Sequence, residues 1–232
     1  CYITGDHPYL ILENSDVRDR SNQSKSGFKF KNLEDIDVLK AKWKHASCIN
    51  PGDYAVTPIN SIEEKPEYLT KEHARLLGYY GAEGSFIRNK KKEIRGFTLS
   101  VNKKDQAVYD IFNLHKKLKF KNKPIVREHY KSDNAAIIEV HDTELAEFCN
   151  KNIGSLAKKK RLSLEVMQWP KEYQLEFLGA YLSGDGFFDT AKSAAGIATA
   201  NEQLANQLVY MLARNGIPAP VFKLEHKGGR NS

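Results

Sequence analysis

Cysteine is scarce in this chain of 232 residues. The three present, Cys1, Cys48 and Cys149, are odd in number, far apart and form no C-x-x-C pair. A disulfide framework and a structural zinc site both lose their support, and a reducing, intracellular setting is the simpler expectation. Long apolar runs are also lacking: none reaches the ~20 residues a membrane helix needs. No charged leader followed by an apolar stretch suggests secretion, and residue 1 reads as a cut point. What is there can still fold. A hydrophobic fraction of 41% and an aromatic fraction of 10% support a packed core rather than wholesale disorder. The length allows one large domain, or a medium one with a smaller attachment.

Lys and Arg number 36 against 29 Asp and Glu, giving a net charge of +7. Cationic side chains on phosphates release condensed counterions, so a polyanionic partner is expected. Position says more than the sum. Basic residues cluster at Arg88, Lys90, Lys91, Lys92 and Arg95, at Lys116–Lys123, and at Lys158–Arg161.

The first sixty or so residues read as short strands and turns, at Tyr2–Thr4, Tyr9–Leu12 and Asp53–Val56, with a turn at Pro51-Gly52. The polar stretch Asn14–Lys31 reads as a mobile loop. Helical spacing follows. Thr70 suits the N-cap of a helix running to Glu83 and closed by Gly84. Gly96–Val101 reads as a strand, and Asp105–Leu118 as a helix on the spacing of Val108, Ile111, Phe112, Leu114 and Leu118. Pro124–Val126 and Ala135–Val140 are candidate paired strands, and Thr143–Asn150 a short helix. The second half repeats this order. Pro170 opens a helix to Asp185, closed by Gly186; a hairpin follows over 187–199, a helix over 201–214 and a strand over 221–224. This internal repeat organises the chain, with its second copy incomplete.

Each copy opens on a related string, Leu76-Leu77-Gly78-Tyr79-Tyr80-Gly81-Ala82-Glu83-Gly84 and Leu178-Gly179-Ala180-Tyr181-Leu182-Ser183-Gly184-Asp185-Gly186. Residues four apart share a helix face. Gly78 with Ala82, and Ala180 with Gly184, therefore give each helix a stripe almost without side chains. Two such stripes can pack with their backbones close, the geometry that small residues also provide between membrane helices. Glycine inside a helix costs about 1 kcal/mol relative to alanine, so it calls for such a packing reason. Helices packed side by side and parallel bring Glu83 and Asp185 to one end. Acids there oppose the helix dipole and repel each other, which divalent cations relieve. Such hard oxygen ligands suit Mg²⁺, and two metals shared by the acids can activate water and stabilise the leaving oxygen of a phosphodiester. Taken singly, each acid-glycine pair is only a helix end with a solvated carboxylate. Occurring twice in repeat register, the pair points to a metal site.

Both strings resemble the LAGLIDADG motif of homing endonucleases, with its leucine, small third residue, acid at the eighth position and glycine at the ninth. Gly81 and Ser183 depart from the usual acid at the sixth. The resemblance implies an α+β fold of two αββαββα halves related by a pseudo-twofold axis, here with the second copy incomplete. It implies a monomer with a saddle of strands astride double-stranded DNA, and an Mg²⁺-dependent double-strand break at a long recognition site. By it, Glu83 and Asp185 are the metal-binding and catalytic acids. The segment Lys158-Lys159-Lys160-Arg161-Leu162-Ser163-Leu164-Glu165-Val166 is similar to the lysine-containing segment before the second motif helix of intein endonucleases, with Ser163 in place of proline. Lys160 then aligns with the lysine that reaches the active site, where an ammonium could stabilise developing charge; a basic turn touching only backbone phosphates is the alternative. Strands after each motif helix would line the DNA, making Arg88, Lys90, Lys91, Lys92, Arg95, Arg127, Lys131 and Lys192 the candidate contacts. A catalytically silent DNA- or RNA-binding relative, a maturase or a regulator, is the second reading.

At the start, Thr4-Gly5-Asp6-His7-Pro8 resembles the T-x-x-H block of inteins, and Trp43-Lys44-His45-Ala46 with Pro51–Pro58 resembles the segment that follows it. A small all-β partial Hint region is thus expected over 1–65, with the endonuclease domain over 66–232, its first repeat near 70–160 and its second near 170–232. In that family the threonine and histidine polarise the peptide bond at the N-terminal splice junction. Cys1 stands too close to His7 to be the nucleophile, and Arg230 precedes Asn231-Ser232 where a histidine is usual. Splicing by this chain alone is not expected, and Thr4, Asp6 and His7 read as a remnant of the block.

Overall fold

The computed structural model describes residues 6–24, 27–30, 36–56, 62–104, 106–128, 134–190, 194–217 and 219–222, with backbone alone at 19–24, 27–30, 38 and 106. The chain divides into two compact units, 1–60 and 61–232.

The first unit runs through β1 (Pro8–Leu12), a one-turn helix α1 (Asn14–Val17), β2 (Arg18–Ser24), β3 (Gly27–Phe30), β4 (Lys42–His45) and β5 (Tyr54–Ala55). β1 is the middle strand of an antiparallel sheet ordered β4-β1-β5, with Leu10 opposite Trp43 and Ile11 opposite Ala55. Ile11, Leu12 and Val17 are buried. Asp53 fastens the turn at Pro51-Gly52. Its carboxylate accepts from the Asn50 amide at 3.0 Å and the Asn14 amide at 3.2 Å, and Gly52 takes the left-handed φ of 97°. The stretch 14–31, expected as a mobile loop, instead contains α1 and the antiparallel β2–β3 hairpin. A hairpin is held by main-chain hydrogen bonds that polar residues make as readily as apolar ones, so the composition concealed it. The strand expected at Tyr2–Thr4 falls outside the described residues.

The second unit opens with α2 (Lys71–Glu83), β6 (Gly84–Arg88), β7 (Ile94–Asn102), α3 (Gln106–Leu118), β8 (Ile125–Glu128), β9 (Ala135–Val140) and α4 (Thr143–Asn152). That order is the helix–strand–strand–helix–strand–strand–helix expected of one repeat. The sheet is antiparallel throughout, ordered β6-β7-β9-β8. Alternation along β7 sends Phe97, Leu99 and Val101 into the core and leaves Ser100 and Asn102 exposed. A short helix α5 (Leu164–Gln168), capped by the Ser163 hydroxyl on the Val166 amide, had no counterpart in the sequence reading. Then come α6 (Lys171–Asp185), β10 (Gly186–Asp189), β11 (Ala194–Ile197) and α7 (Glu202–Arg214). Val221 and Phe222, expected in a strand, adopt none; both side chains are exposed, and among the described residues no strand pairs with them. Lys223 and Leu224 lie outside the described residues. No helix among the described residues is long and apolar enough to cross a membrane.

Two details fix where α2 and α6 begin and end. Thr70 and His73 form a capping box at the start of α2: the Thr70 hydroxyl accepts from the His73 amide, and the Thr70 amide donates to His73 Nδ1 at 3.3 Å. At the far ends, Gly84 and Gly186 have φ of −84° and −86°, so they are not left-handed caps as the acid-glycine pairs first suggest. A Cβ on Gly84 would strike the Tyr80 ring and carbonyl, and one on Gly186 the Leu182 carbonyl. Glycine is needed because the chain turns directly from helix into strand against the helix's own last turn.

The opening of the unit is tied to its last described helix. Buried Arg214 donates to the carbonyls of Met167 and Ile62, both at 2.6 Å, and the Glu64 amide donates to the Gln168 carbonyl at 2.8 Å.

The core centres on α2 against α6, with Tyr80, Phe97, Trp169, Phe177 and Tyr181 fully buried around the contact. A Cβ on Gly78 would collide with the Phe177 carbonyl and stand 2.7 Å from Ala180 Cβ, whereas nothing lies within 4 Å of one on Gly179. Gly78→Ala therefore forces the helix backbones apart and should cost at least about 2 kcal/mol. Gly179→Ala, gaining helix propensity in open space, should stabilise by up to about 1 kcal/mol. Chemical denaturation of the two variants checks this pair of opposite signs.

Burial holds the pKa of His73 below its ordinary 6.5, and Nδ1 can accept the Thr70 amide only while unprotonated. As pH falls below that ordinary value, the unfolded chain takes up this proton before the folded one, so stability falls with pH in this range. His73→Gln keeps a capping box without a titrating group. The drop in melting temperature between about pH 7.5 and about pH 5.5 should be smaller in this variant than in the wild type.

Candidate active site

The glycine stripes determine how the two acids meet. Along α2 and α6, Lys71 pairs with Glu172 at 3.0 Å and Arg75 with Glu176 at 2.6 Å. Further on, Gly78 faces Ala180, and a Cβ on Gly184 would lie 2.6 Å from Ala82 Cβ and 3.4 Å from Glu83 Cγ. Contacts that advance in step along both helices mean that they run parallel. The four small residues Gly78, Ala82, Ala180 and Gly184 all lie at the contact, and Glu83 and Asp185 stand at its carboxyl end, both half-buried.

Burial raises the pKa of Asp185, opposed by nearby Lys160 and by a hydrogen bond with Tyr181. Lys160 lies beneath the pair. Its side chain is buried, and Nζ donates to the carbonyls of Tyr80 at 3.0 Å and Gly81 at 2.9 Å. The ammonium also sits 5.1 Å from the centre of the Tyr80 ring. It thus satisfies carbonyls in the last turn of α2, where the dipole favours a cation. Desolvation pushes its pKa down to about 8, while Asp185 and Glu83 pull it back up. The sequence reading left open a solvated basic turn, and the structure corrects that alternative for Lys160. Lys158 and Lys159, by contrast, are exposed.

Sequence reasoning missed the groups that hold this lysine. Asn201 caps α7 through Oδ1, on the amides of Gln203 and Leu204, while its Nδ2 donates to the carbonyls of Lys158 at 2.9 Å and Lys160 at 2.8 Å. Gln207 brackets Leu162, accepting from its amide and donating to its carbonyl, both at 2.8 Å. An asparagine just before an apolar-periodic helix is a cap signal, which the sequence reading passed over by starting the helix at Asn201. Nothing in the sequence signalled that its other end grips the lysine segment.

Glu83 and Asp185 offer two carboxylates, and no cluster of three or more His, Cys, Asp or Glu that could hold a metal occurs among the described residues. This donor set fits Mg²⁺, which keeps several waters and binds through one or two carboxylates with substrate phosphates completing its shell. It does not fit a closed structural metal cage.

The candidate DNA contacts fall into two groups. Arg88, Lys90, Lys91, Lys92 and Arg95 gather at the β6–β7 turn. There Arg88 donates to the Lys92 carbonyl at 2.8 Å, Lys92 has a φ of 65°, and Arg95 pairs with Glu93 at 2.5 Å. Arg127, on the far strand β8, pairs with Glu139 at 2.8 Å. Lys131 and Lys192 lie outside the described residues. The sheet face turned away from the helices also carries Ser85, Thr98, Ser100 and Asn102, which the basic clusters drew attention away from. Ser85 and Thr98 hydroxyls meet at 2.7 Å across the β6–β7 pair. The period-two run from Phe97 to Asn102 was the signal that could have found them. Asp6 and His7 lie in the first unit: the Asp6 carbonyl meets His45 Nδ1 at 2.9 Å, and the His7 ring packs edge-on to Tyr9. Thr4 is outside the described residues.

Comparison with known proteins now adds to this geometry. Residues 172–232 match the LAGLIDADG-like domain family. The LAGLIDADG-like match therefore includes the second motif helix, its acid Asp185 and the hairpin after it. Over 98% of its length the chain is 27% identical to an iron-sulfur cluster assembly SufBD family protein of Mycobacterium tuberculosis, spanning 27% of that protein. Over 82% of its length it is 30% identical to the replication factor C small subunit of Methanocaldococcus jannaschii, spanning 10% of it. The chain thus spans about a quarter or less of these relatives. A solved structure of I-DmoI in complex with DNA and Mn is 16% identical, with a TM-score of 0.49, covering 68% of this chain and 84% of that one.

The Asn201 bracket can be dissected. Asn201→Asp keeps the cap on α7 and loses both donors to Lys158 and Lys160, and should cost about 2 kcal/mol of stability. Asn201→Ala loses the cap as well and should cost about 1 kcal/mol more. Thermal unfolding of both variants tests the order.

Proposed function

We propose that the chain is part of an intein and that its second unit is a site-specific, Mg²⁺-dependent endonuclease that hydrolyses both strands of a duplex. The observation that carries this reading is the arrival of Glu83 and Asp185 at one end of two parallel helices whose backbones touch. Two half-buried acids in one place oppose both the helix dipole and each other, an arrangement suited to holding divalent cations. Bound there by Glu83 and Asp185, Mg²⁺ would supply Lewis-acid stabilisation of a phosphodiester and a more acidic water. The residues do the rest. Tyr181 holds the Asp185 carboxylate in place, Lys160 puts positive charge under both acids, and the basic turn at Arg88–Arg95 attracts the phosphate backbone. The exposed hydroxyls and amide of β6 and β7 face outward where base edges could be read.

The intein setting is supported by where the same stretch of sequence recurs. An iron-sulfur cluster assembly protein and a replication factor share no activity by name, yet each matches this chain over a minor part of its length. A segment carried by unrelated proteins is what a transferable insertion produces. The first unit, with Asp6 and His7, is read as the splicing portion of that insertion.

Cleavage of duplexes bearing candidate insertion sites, with Mg²⁺ and then with EDTA, tests the activity. Glu83→Gln and Asp185→Asn should each reduce cleavage to background while leaving binding intact. Tight binding with no cutting under any metal would favour the silent DNA-binding relative instead. Electrostatics gives a second check. Replacing Lys90 and Lys91 together with glutamine should weaken binding to all sequences alike. The slope of log K against log salt should fall by about 1 for each phosphate left without its cation.

A further inference from the structure

The two hairpins that follow the motif helices occupy equivalent places but present different chemistry. In the first copy Gly84 faces the helix, Ser85 points away from it, and Phe86 turns back to stack on Tyr80 at 4.9 Å between ring centres. In the second, Gly186 faces α6 in the same way, so alternation directs Phe187 outward. Phe187 thus stands where the first copy has Ser85. Its cross-strand partner is Gly196, and a Cβ on Gly196 would strike the Phe187 ring, coming within 2.7 Å of Cε1. The far end of the ring therefore lies over the bare Gly196 backbone, and the side chain is 57% exposed. Where the first hairpin offers two hydroxyls 2.7 Å apart, the second offers an exposed aromatic ring.

A hydroxyl pair and an aromatic ring read a base edge by different contacts. Hydroxyls exchange hydrogen bonds with several base edges, whereas an apolar side chain in the major groove has one apolar target, the 5-methyl group of thymine. We infer that Phe187 is a specificity-determining residue that selects a thymine methyl in the half of the duplex under the second hairpin. This rests on the DNA-binding reading above and deepens it. The recognised duplex is then asymmetric, with a hydrogen-bonded position under Ser85 and Thr98 and an apolar one under Phe187.

The test begins by enriching duplexes from a random library on the wild-type protein without divalent metal, so that nothing is cut. Each thymine of the enriched sequence is then replaced singly by deoxyuridine, which differs only by lacking the methyl. One replacement should weaken binding about fourfold, the worth of one buried methyl. Phe187→Ser should bind the thymine and deoxyuridine duplexes equally at that position, while Phe187→Leu should keep part of the preference. The exchange on wild-type protein needs no variant to fold. The inference is overturned if no thymine is sensitive, if Phe187→Ser keeps the discrimination, or if it weakens every duplex alike, as a ring that merely shields Gly196 would. Failure to enrich any duplex would be a different result, sinking the DNA-binding reading itself.

Discussion

Everything in the second unit depends on two helix backbones touching. With Gly78 against the Phe177 carbonyl and Gly184 against Ala82, α2 and α6 approach more closely than side chains would permit. Dispersion contacts between close backbones are individually small and collectively large, but their structural consequence is positional. Glu83 and Asp185 become neighbours without a loop or a bound group having to bring them together. The paired ions Lys71–Glu172 and Arg75–Glu176 toward the opposite end match the register of the same contact; the exposed Lys71–Glu172 pair contributes more to alignment than to stability.

Lys160 converts this contact into a site. An amine buried beside the last turn of α2 bonds the Gly81 carbonyl and gives the Tyr80 carbonyl a second donor besides the Gly84 amide, and its charge offsets two acids that would otherwise repel. The cost of desolvating it is offset by the Tyr80 and Gly81 carbonyls and by the two acids, while Asn201 and Gln207 hold the backbone of the segment that carries it. One polar asparagine thereby links the start of α7 to the end of α2.

Much of this was legible in the sequence, and the reason is the type of signal. Repetition of Leu76–Gly84 as Leu178–Gly186, the small residues at four-residue spacing and the acid at each end are local patterns with a single geometric meaning. The Thr70 cap, the alternation in β7 and the apolar spacing of α3 are local too. What stayed hidden was non-local or carried by the main chain. The β2–β3 hairpin is made of backbone pairing in a polar stretch, α5 is too short to show a period, and the grip of Asn201 on Lys160 spans 41 residues. Gly84 and Gly186 were found for the wrong reason. They are glycine because of a collision with Tyr80 and Leu182, and not because of a left-handed turn.

The glycine stripe also has a cost in time. A bare helix face is useful only once its partner exists, and the partner of α2 is encoded roughly 100 residues downstream. At synthesis rates of about 5–20 residues per second, α2 leaves the ribosome roughly 5–20 s before α6 can cover it. During that interval its apolar residues, Leu76, Leu77 and Tyr80 among them, have only the local sheet, α3 and α4 to shelter against. The feature that makes the finished site compact therefore makes the unfinished chain a client for whatever in the cell guards exposed apolar surface.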